Sequence, residues 1–411
     1  MRKNIMFYIA ALSAVLFAIA TPLSSQQQEI KIPLIMDGSI SLIRVKVNSQ
    51  KDPVYFMFDT GSEVTTISKG YSQKAALIFD KKNTVIGVRG EQEFATSSSN
   101  TLSLLSQNTD EVVVLKDIAL TQMDFQTYTV SPSGLPISGI IGAQIIKNYS
   151  TEVDYDQNII TLRRLGSKVP AKYNNSSLSI RHTGDYFPRI PIDITLRDGS
   201  KIAGEAYFDS GADFCFMVNA LYAQRNDVLN KSGFYLQRTS YGVDDQGYNY
   251  VVRAQSAVIN KVKMPSFTLD ISSSSTGVGA EEGSLGLIGF GFIKRFNFII
   301  DMSLEKLYLI PNKRMSEPMW FPVGGPVIAK KASANGVQVF YVQDISLPGD
   351  AVAKCALRKD DEVISFQGKP VTSEEDLMNV IFGAAPGDKF TFVIRRDGKE
   401  MPVEFVSEAI L

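Results

Sequence analysis

Along most of the chain, short apolar segments rich in β-branched and aromatic residues are cut by Gly, Asn, Asp and Ser turns, a texture that predicts strands rather than helices. Residues 41–47 alternate apolar and polar side chains, as a strand with one buried face does, whereas residues 53–58 are apolar almost throughout and predict a strand buried on both faces. Helical spacing is rare. One instance follows Ser373, a capping residue, where Leu377, Val380 and Ile381 share a face. At the N-terminus, Arg2 and Lys3 precede an apolar run over residues 5–20 that ends in Thr21-Pro22 and a Ser/Gln tract. This order predicts a secretory signal peptide, residues 1–20, with Ala18 and Ala20 as the small residues before the cut. A secreted or periplasmic location follows; the run also leaves open a membrane-anchored form.

The pattern repeats on a larger scale. Phe58-Asp59-Thr60-Gly61 recurs as Phe208-Asp209-Ser210-Gly211, an offset of 150 residues, and Ile140-Ile141-Gly142 recurs as Leu287-Ile288-Gly289, an offset of 147. The match continues without a gap from Ile145-Ile146-Lys147 against Phe292-Ile293-Lys294 to Asp154 against Asp301. Two homologous lobes are expected, residues 28–165 and 178–312, joined by the polar stretch 172–177. Residues 312–318 read as a second linker to a separate unit at 320–411.

Composition narrows the chemistry. With 44% hydrophobic and 21% charged residues the 411-residue chain is of ordinary globular type, and its formal charge of −1 gives no field that would gather nucleic acid. It holds one histidine, His182, and two cysteines, Cys215 and Cys355, each read as a buried small hydrophobe. A serine triad, a multi-histidine zinc site and a disulfide framework are all poorly supplied. Hydrolysis, if present, falls to carboxylates and needs no metal and no cofactor.

A single Asp-Thr/Ser-Gly is weak, arising in roughly one chain in five of this length at ordinary residue usage. Two copies in duplicated lobes are different, because a pseudo-twofold axis brings the carboxyls together. At hydrogen-bond distance the pair cannot both ionise, so one proton is shared; one member acts as base and the other as acid.

On these residues, over both lobes, the chain resembles aspartic proteases of the pepsin and retropepsin type. The resemblance implies a mostly β, bilobal pepsin-like fold, an aspartic-type endopeptidase activity on a polypeptide substrate, and a single-chain, monomeric enzyme. It assigns Asp59 and Asp209 as the catalytic dyad. Thr60, Gly61, Ser62, Ser210, Gly211 and Ala212 become its support, and Ile140-Ile141-Gly142 and Leu287-Ile288-Gly289 the psi-shaped loops behind the aspartates. It places a mobile flap at Gly87, Val88, Arg89 and Gly90, with Gly242 to Gly247 as a candidate second one. Ser62 follows the first motif as in pepsins and Ala212 the second as in retropepsins; the missing hydroxyl at 212 is expected to raise the pKa of Asp209 and favour activity at milder acidity. Asp154 and Asp301 are expected to serve turns.

Residues 346–371, from Ser-Leu-Pro-Gly-Asp-Ala to Gln-Gly-Lys-Pro-Val, resemble bacterial PDZ domains, with Ala356 and Asp360 at two usual glycines and Gln367 at a usual Asn. The resemblance implies a β-domain with short helices that binds extended or C-terminal peptides beside the helix after Ser373. Residues 321–325 are the nearest match to its carboxylate-binding loop. A catalytically inactive peptide-binding protein on the same fold is the alternative left open.

Overall fold

The computed structural model describes residues 29–107, 112–124, 131–181, 187–233, 235–241, 246–319, 323–332, 338–346, 356–371 and 387–409. The expected leader, His182, Gly242, Cys355, Phe321 and the helix expected after Ser373 lie outside the described residues.

The molecule is mostly β, with only short helices among the described residues. Each Asp-bearing segment enters its own sheet by the same sequence of neighbours. In the eight-stranded sheet, Val54–Phe58 pairs antiparallel with Ile40–Val47 and parallel with Ile137–Ile141. Ile137–Ile141 then pairs antiparallel with Thr65–Ser68, which runs parallel to Val112–Met123. In the nine-stranded sheet, Lys201–Phe208 pairs antiparallel with Arg189–Thr195 and parallel with Gly286–Ile288. Gly286–Ile288 pairs antiparallel with Phe216–Val218, which runs parallel to Phe267–Ser272. The sequence repeat is therefore a repeat of strand topology.

A six-stranded sheet joins the lobes. At its centre Ser150–Asp154 pairs antiparallel with Phe296–Asp301, one strand from each lobe, through Thr151 opposite Ile300 and Val153 opposite Phe298. Ile159–Arg163 and Glu29–Pro33 extend it on one side, Lys306–Pro311 and Ser177–Ser179 on the other. One apolar core runs through both lobes and includes Phe56, Phe58, Phe208 and Phe298. The all-apolar motif strand is buried at Phe56, Met57 and Phe58, as its composition predicts. Residues 41–47 depart from simple one-faced burial. Leu42 lies on the face opposite Ile43 and is also fully buried, because it packs in a second cluster with Ile40, Met57 and Ile137.

Asp154 and Asp301 close equivalent hairpin turns. The Asp154 Oδ1 accepts from the amides of Asp156 and Gln157 at 3.0 and 3.1 Å, and the Asp301 Oδ1 accepts from those of Ser303 and Leu304 at 3.1 and 3.3 Å. Both act as local turn acceptors.

The stretch 312–318, expected as a linker, is held to the second lobe by a buried cation. Arg295, 2% exposed, donates from Nη1 to the carbonyls of Arg314 (2.8 Å) and Glu317 (2.6 Å) and from Nη2 to that of Pro318 (3.0 Å), while Nε reaches Gly291 (3.2 Å). The segment makes one short 3-10 turn, Lys313–Ser316, in which the Arg314 carbonyl also accepts from the Glu317 amide at 3.0 Å, and the guanidinium fork serves as a shared cap on its C-terminal carbonyls. Arg295→Met keeps the packing volume and leaves those carbonyls without their donor; it should cost about 3 kcal/mol in urea unfolding. A loss below about 0.5 kcal/mol would show that water replaces the guanidinium without penalty.

Candidate active site

Asp59 and Asp209 meet where the two motif turns face each other across the lobe boundary. Each aspartate amide donates to its psi-loop partner at 3.0 Å, Asp59 to the Ile141 carbonyl and Asp209 to the Ile288 carbonyl. The following residues are tied as well: Ala143 donates to the Ser62 carbonyl at 3.0 Å and Phe290 to the Ala212 carbonyl at 2.7 Å. The two hydrophobic-hydrophobic-Gly triads thus lie directly behind the two aspartates.

The lobes are bolted together one residue further on. The Thr60 amide donates to Ser210 Oγ at 2.9 Å, and the Ser210 amide donates to Thr60 Oγ1 at 3.0 Å. The Thr60 hydroxyl donates to the Phe208 carbonyl at 2.6 Å, and the Ser210 hydroxyl donates to the Phe58 carbonyl at 3.4 Å. Thr60 and Ser210 are both buried, so these reciprocal bonds have no water to compete with.

Gly61 and Gly211 do two jobs. Their amides donate to Oδ1 of their own aspartates, at 2.8 and 2.9 Å. Their missing side chains make room for the opposite carboxyl: a Cβ on Gly61 would lie 2.4 Å from Asp209 Cγ, and one on Gly211 would lie 2.4 Å from Asp59 Cγ. Neither glycine has a positive φ. Close approach, not backbone freedom, is what both positions demand.

The two carboxyls are hydrogen-bond partners and both are buried. Burial pushes Asp59 above the ordinary aspartate range, opposed by its bonds to Asp209 and to the amides of Gly61 and Gly211. Asp209 is pushed up further, first by burial and then by the negative charge of Asp59, with only the amides of Gly211 and Ala212 opposing. Burial and mutual repulsion hold one proton on the pair above the ordinary aspartate range.

Ser62 and Ala212 act differently from expectation. The Ser62 hydroxyl donates to the Val64 carbonyl at 2.7 Å and so spends its proton away from Asp59. The absence of a hydroxyl at 212 is therefore not what separates the two aspartates. Ala212 contributes a backbone N–H to Asp209. Sequence comparison of the motifs alone pointed to that side chain because it is the visible difference; the burial that raises both aspartates is a property of the assembled lobes.

Gly87, Val88, Arg89 and Gly90 form the tip of the hairpin between Lys81–Ile86 and Glu91–Leu105, closed by the Gly87 amide on the Gly90 carbonyl at 2.7 Å. The tip rests on the second lobe and does not project freely into solvent. The expected second flap belongs to the hairpin of Leu236–Tyr241 and Gln246–Ala254, of which Gly247 is described. Cys215 is buried and free, and burial pushes its thiol up to about 12, which leaves it inert as a nucleophile. Among the described residues no cluster of His, Cys, Asp and Glu has the grouping of a metal site.

Beyond the lobes a seven-stranded sheet begins at Val323–Ala332 and encloses its own core of Ile328, Val342, Phe366, Phe390, Phe392 and Phe405. A family model described as a PDZ domain matches residues 301–405. The chain carries a PDZ domain. Its match begins at Asp301, within the lobe-joining sheet, whereas the strands of the PDZ sheet start at Val323. Two positions where the sequence departs from the PDZ pattern have left-handed backbones, Asp360 at φ +71° and Gln367 at φ +49°, which explains the glycine and asparagine expected there. In the same loop, buried Asp361 pairs with Arg396 at 2.6 Å and accepts from the Arg358 amide at 2.7 Å. PDZ domains bind peptide ligands, so peptide recognition or regulation belongs to this part of the chain. No curated protein matches the chain.

Proposed function

We propose that the chain is an aspartic endopeptidase in which Asp59 and Asp209 hydrolyse peptide bonds through an activated water, with the PDZ domain recruiting or regulating the polypeptide substrate. The observation that carries this reading is the pooling of two carboxyls, one from each lobe, over reciprocal hydroxyl bonds that fix their separation.

One member of the pair carries charge and the other the proton, and we take Asp59 as the charged member because its charge is among the causes that raise Asp209. Asp59, the charged member, removes a proton from water as the water oxygen attacks the substrate carbonyl carbon. Asp209, which holds the proton, donates it to the carbonyl oxygen, giving a neutral tetrahedral diol. Collapse reverses the flow: Asp59 gives its proton to the amide nitrogen, the C–N bond breaks, and a diol hydroxyl returns a proton to Asp209. The dyad ends as it began. Rate then needs one proton on the pair, and because Asp209 is shifted upward this state persists above the ordinary aspartate range. Activity should extend into mild acidity on the alkaline side of its optimum. We further propose that the N-terminal segment 1–20 directs the protein to a secreted or periplasmic location, on the strength of its basic, apolar and small-residue order.

The test is cleavage of an unfolded protein substrate from pH 3 to 8 by the full chain, with and without a peptide bearing a hydroxyl isostere of the diol. Inhibitable cleavage with a bell-shaped profile is expected. Absence of cleavage by folded protein at every pH would leave a peptide-binding protein on this fold as the better account.

A further inference from the structure

A hairpin tip is normally among the most exposed parts of a fold, yet Gly87 is buried and Val88 and Arg89 are half-buried. The contacts that cover them come from the opposite lobe. The Val278 amide donates to the Gly87 carbonyl at 3.1 Å and the Gly279 amide to the Val88 carbonyl at 2.8 Å. Thr276 Oγ1 donates to the Arg89 carbonyl at 2.6 Å, and Arg89 Nη2 donates to the Tyr248 carbonyl at 2.9 Å and to Asn249 Oδ1 at 3.3 Å. Asn249 is itself buried and donates onward to the buried Asp270, which pairs with Arg238 at 2.7 Å.

The second lobe is shaped for this tip. A Cβ on Gly277, whose φ is +69°, would lie 2.4 Å from the Gly87 carbonyl oxygen, and one on Gly279 would lie 2.7 Å from that of Val88. A Cβ on Gly247 would lie 2.1 Å from the Arg89 guanidinium. Into the space so made, Val88 packs on Tyr207, Met217 and Leu287. Tyr207 and Leu287 lie beside the strand residues that lead into Asp209, on the face opposite the lobe core that Phe208 and Ile288 enter.

We propose that the 87–90 turn is a built-in occupant of the cleft: Val88 fills an aliphatic side-chain pocket of the second lobe, Arg89 latches it there, and a peptide with a branched aliphatic residue gains the pocket by displacing the turn. The proposal rests on the endopeptidase reading for its substrate class, and the latch itself can be scored without catalysis. Five hydrogen bonds and one half-buried side chain hold the seated state, so the open state is a minor population. Apparent affinity for peptide is reduced by the open fraction. If about a tenth of the molecules are open, full release of the latch tightens binding about tenfold.

The experiment uses the full chain bearing Asp209→Asn, so that nothing is cleaved, alone and combined with Arg89→Ala or with the milder Thr276→Val. Amide hydrogen exchange at Val278 and Gly279 reads the latch directly, since both donate to the turn; the Asp209→Asn amide at 209, which donates to Ile288, serves as the control. Calorimetry with a leucine-containing peptide carrying a reduced, non-cleavable bond reads the pocket. Arg89→Ala should speed exchange at Val278 and Gly279 about tenfold, leave the amide at 209 unchanged and tighten peptide binding by five- to tenfold, with Thr276→Val between it and the parent. Unchanged exchange, or faster exchange with equal or weaker peptide binding, would overturn the proposal; the second result would make the seated turn part of the peptide-binding state. Faster exchange and tighter binding in a protein whose parent sequence cleaves nothing would support the latch and sink the endopeptidase reading alone.

Discussion

Asp59→Asn and Asp209→Asn should each reduce kcat for peptide hydrolysis by at least about 10³-fold, while the folded protein becomes more stable at neutral pH, not less. Either amide removes the single shared proton or its acceptor, and loss of one member of a unit costs nearly as much as loss of the whole. The stability sign follows from linkage. The folded-state pKa of Asp209 lies above its unfolded value, so the native protein binds more protons in the window between them and loses stability as pH rises through it. Asn at 209 removes the cost of forcing charge into that site. Asp209→Asn should therefore raise Tm at pH 7, with the gain shrinking as the pH falls through the raised folded pKa toward the ordinary aspartate range. Thermal melts at pH 4 and 7 beside the kinetic assay separate this from unfolding. An inactive Asp209→Asn protein with a lower Tm at pH 7 would attribute the lost activity to structure.

Gly211→Ala is the second large effect. Its added methyl would stand 2.4 Å from the Asp59 carboxyl, a contact that the flanking turn cannot relax because Thr60 and Ser210 fix it from both lobes. Either the carboxyls part by about an ångström or the lobes do. Displacement of that size costs on the order of 10² in rate, and overpacking of this kind costs about 1–3 kcal/mol. The expected result is kcat down about 100-fold with KM nearly unchanged, since the substrate pockets lie elsewhere. Gly70→Ala, at a glycine with no positive φ and nothing within 4 Å, should leave kcat intact. Equal rates in wild type and Gly211→Ala would mean that the carboxyls need not approach through this gap.

What the sequence disclosed was set by repetition. The two Asp motifs and the two hydrophobic-hydrophobic-Gly triads keep the same order in both lobes, and the strand pairings reproduce that order. Asp154 and Asp301 were legible for the same reason, as equivalent turn acceptors. The upward shift of Asp59 and Asp209 was not legible, because it comes from burial and from each other's carboxyl once the lobes close. Arg295 gave no local signal either: its carbonyl partners lie about twenty residues downstream in a segment whose composition suggests a linker. The seat for the 87–90 turn is built from Gly277, Gly279 and Thr276, whose partners are almost 190 residues away in the chain. Small residues there signal a close approach only when the approaching backbone is known.

The most direct test of a proton shared between lobes is carboxyl-carbon NMR titration of protein labelled at aspartate, comparing wild type with Asp59→Asn. Wild type should show the Asp209 carboxyl titrating well above the ordinary aspartate range, and Asp59→Asn should bring it down because the neighbouring charge is gone. An Asp209 resonance that titrates in the ordinary range, or that does not move when Asp59 is replaced, would contradict the dyad.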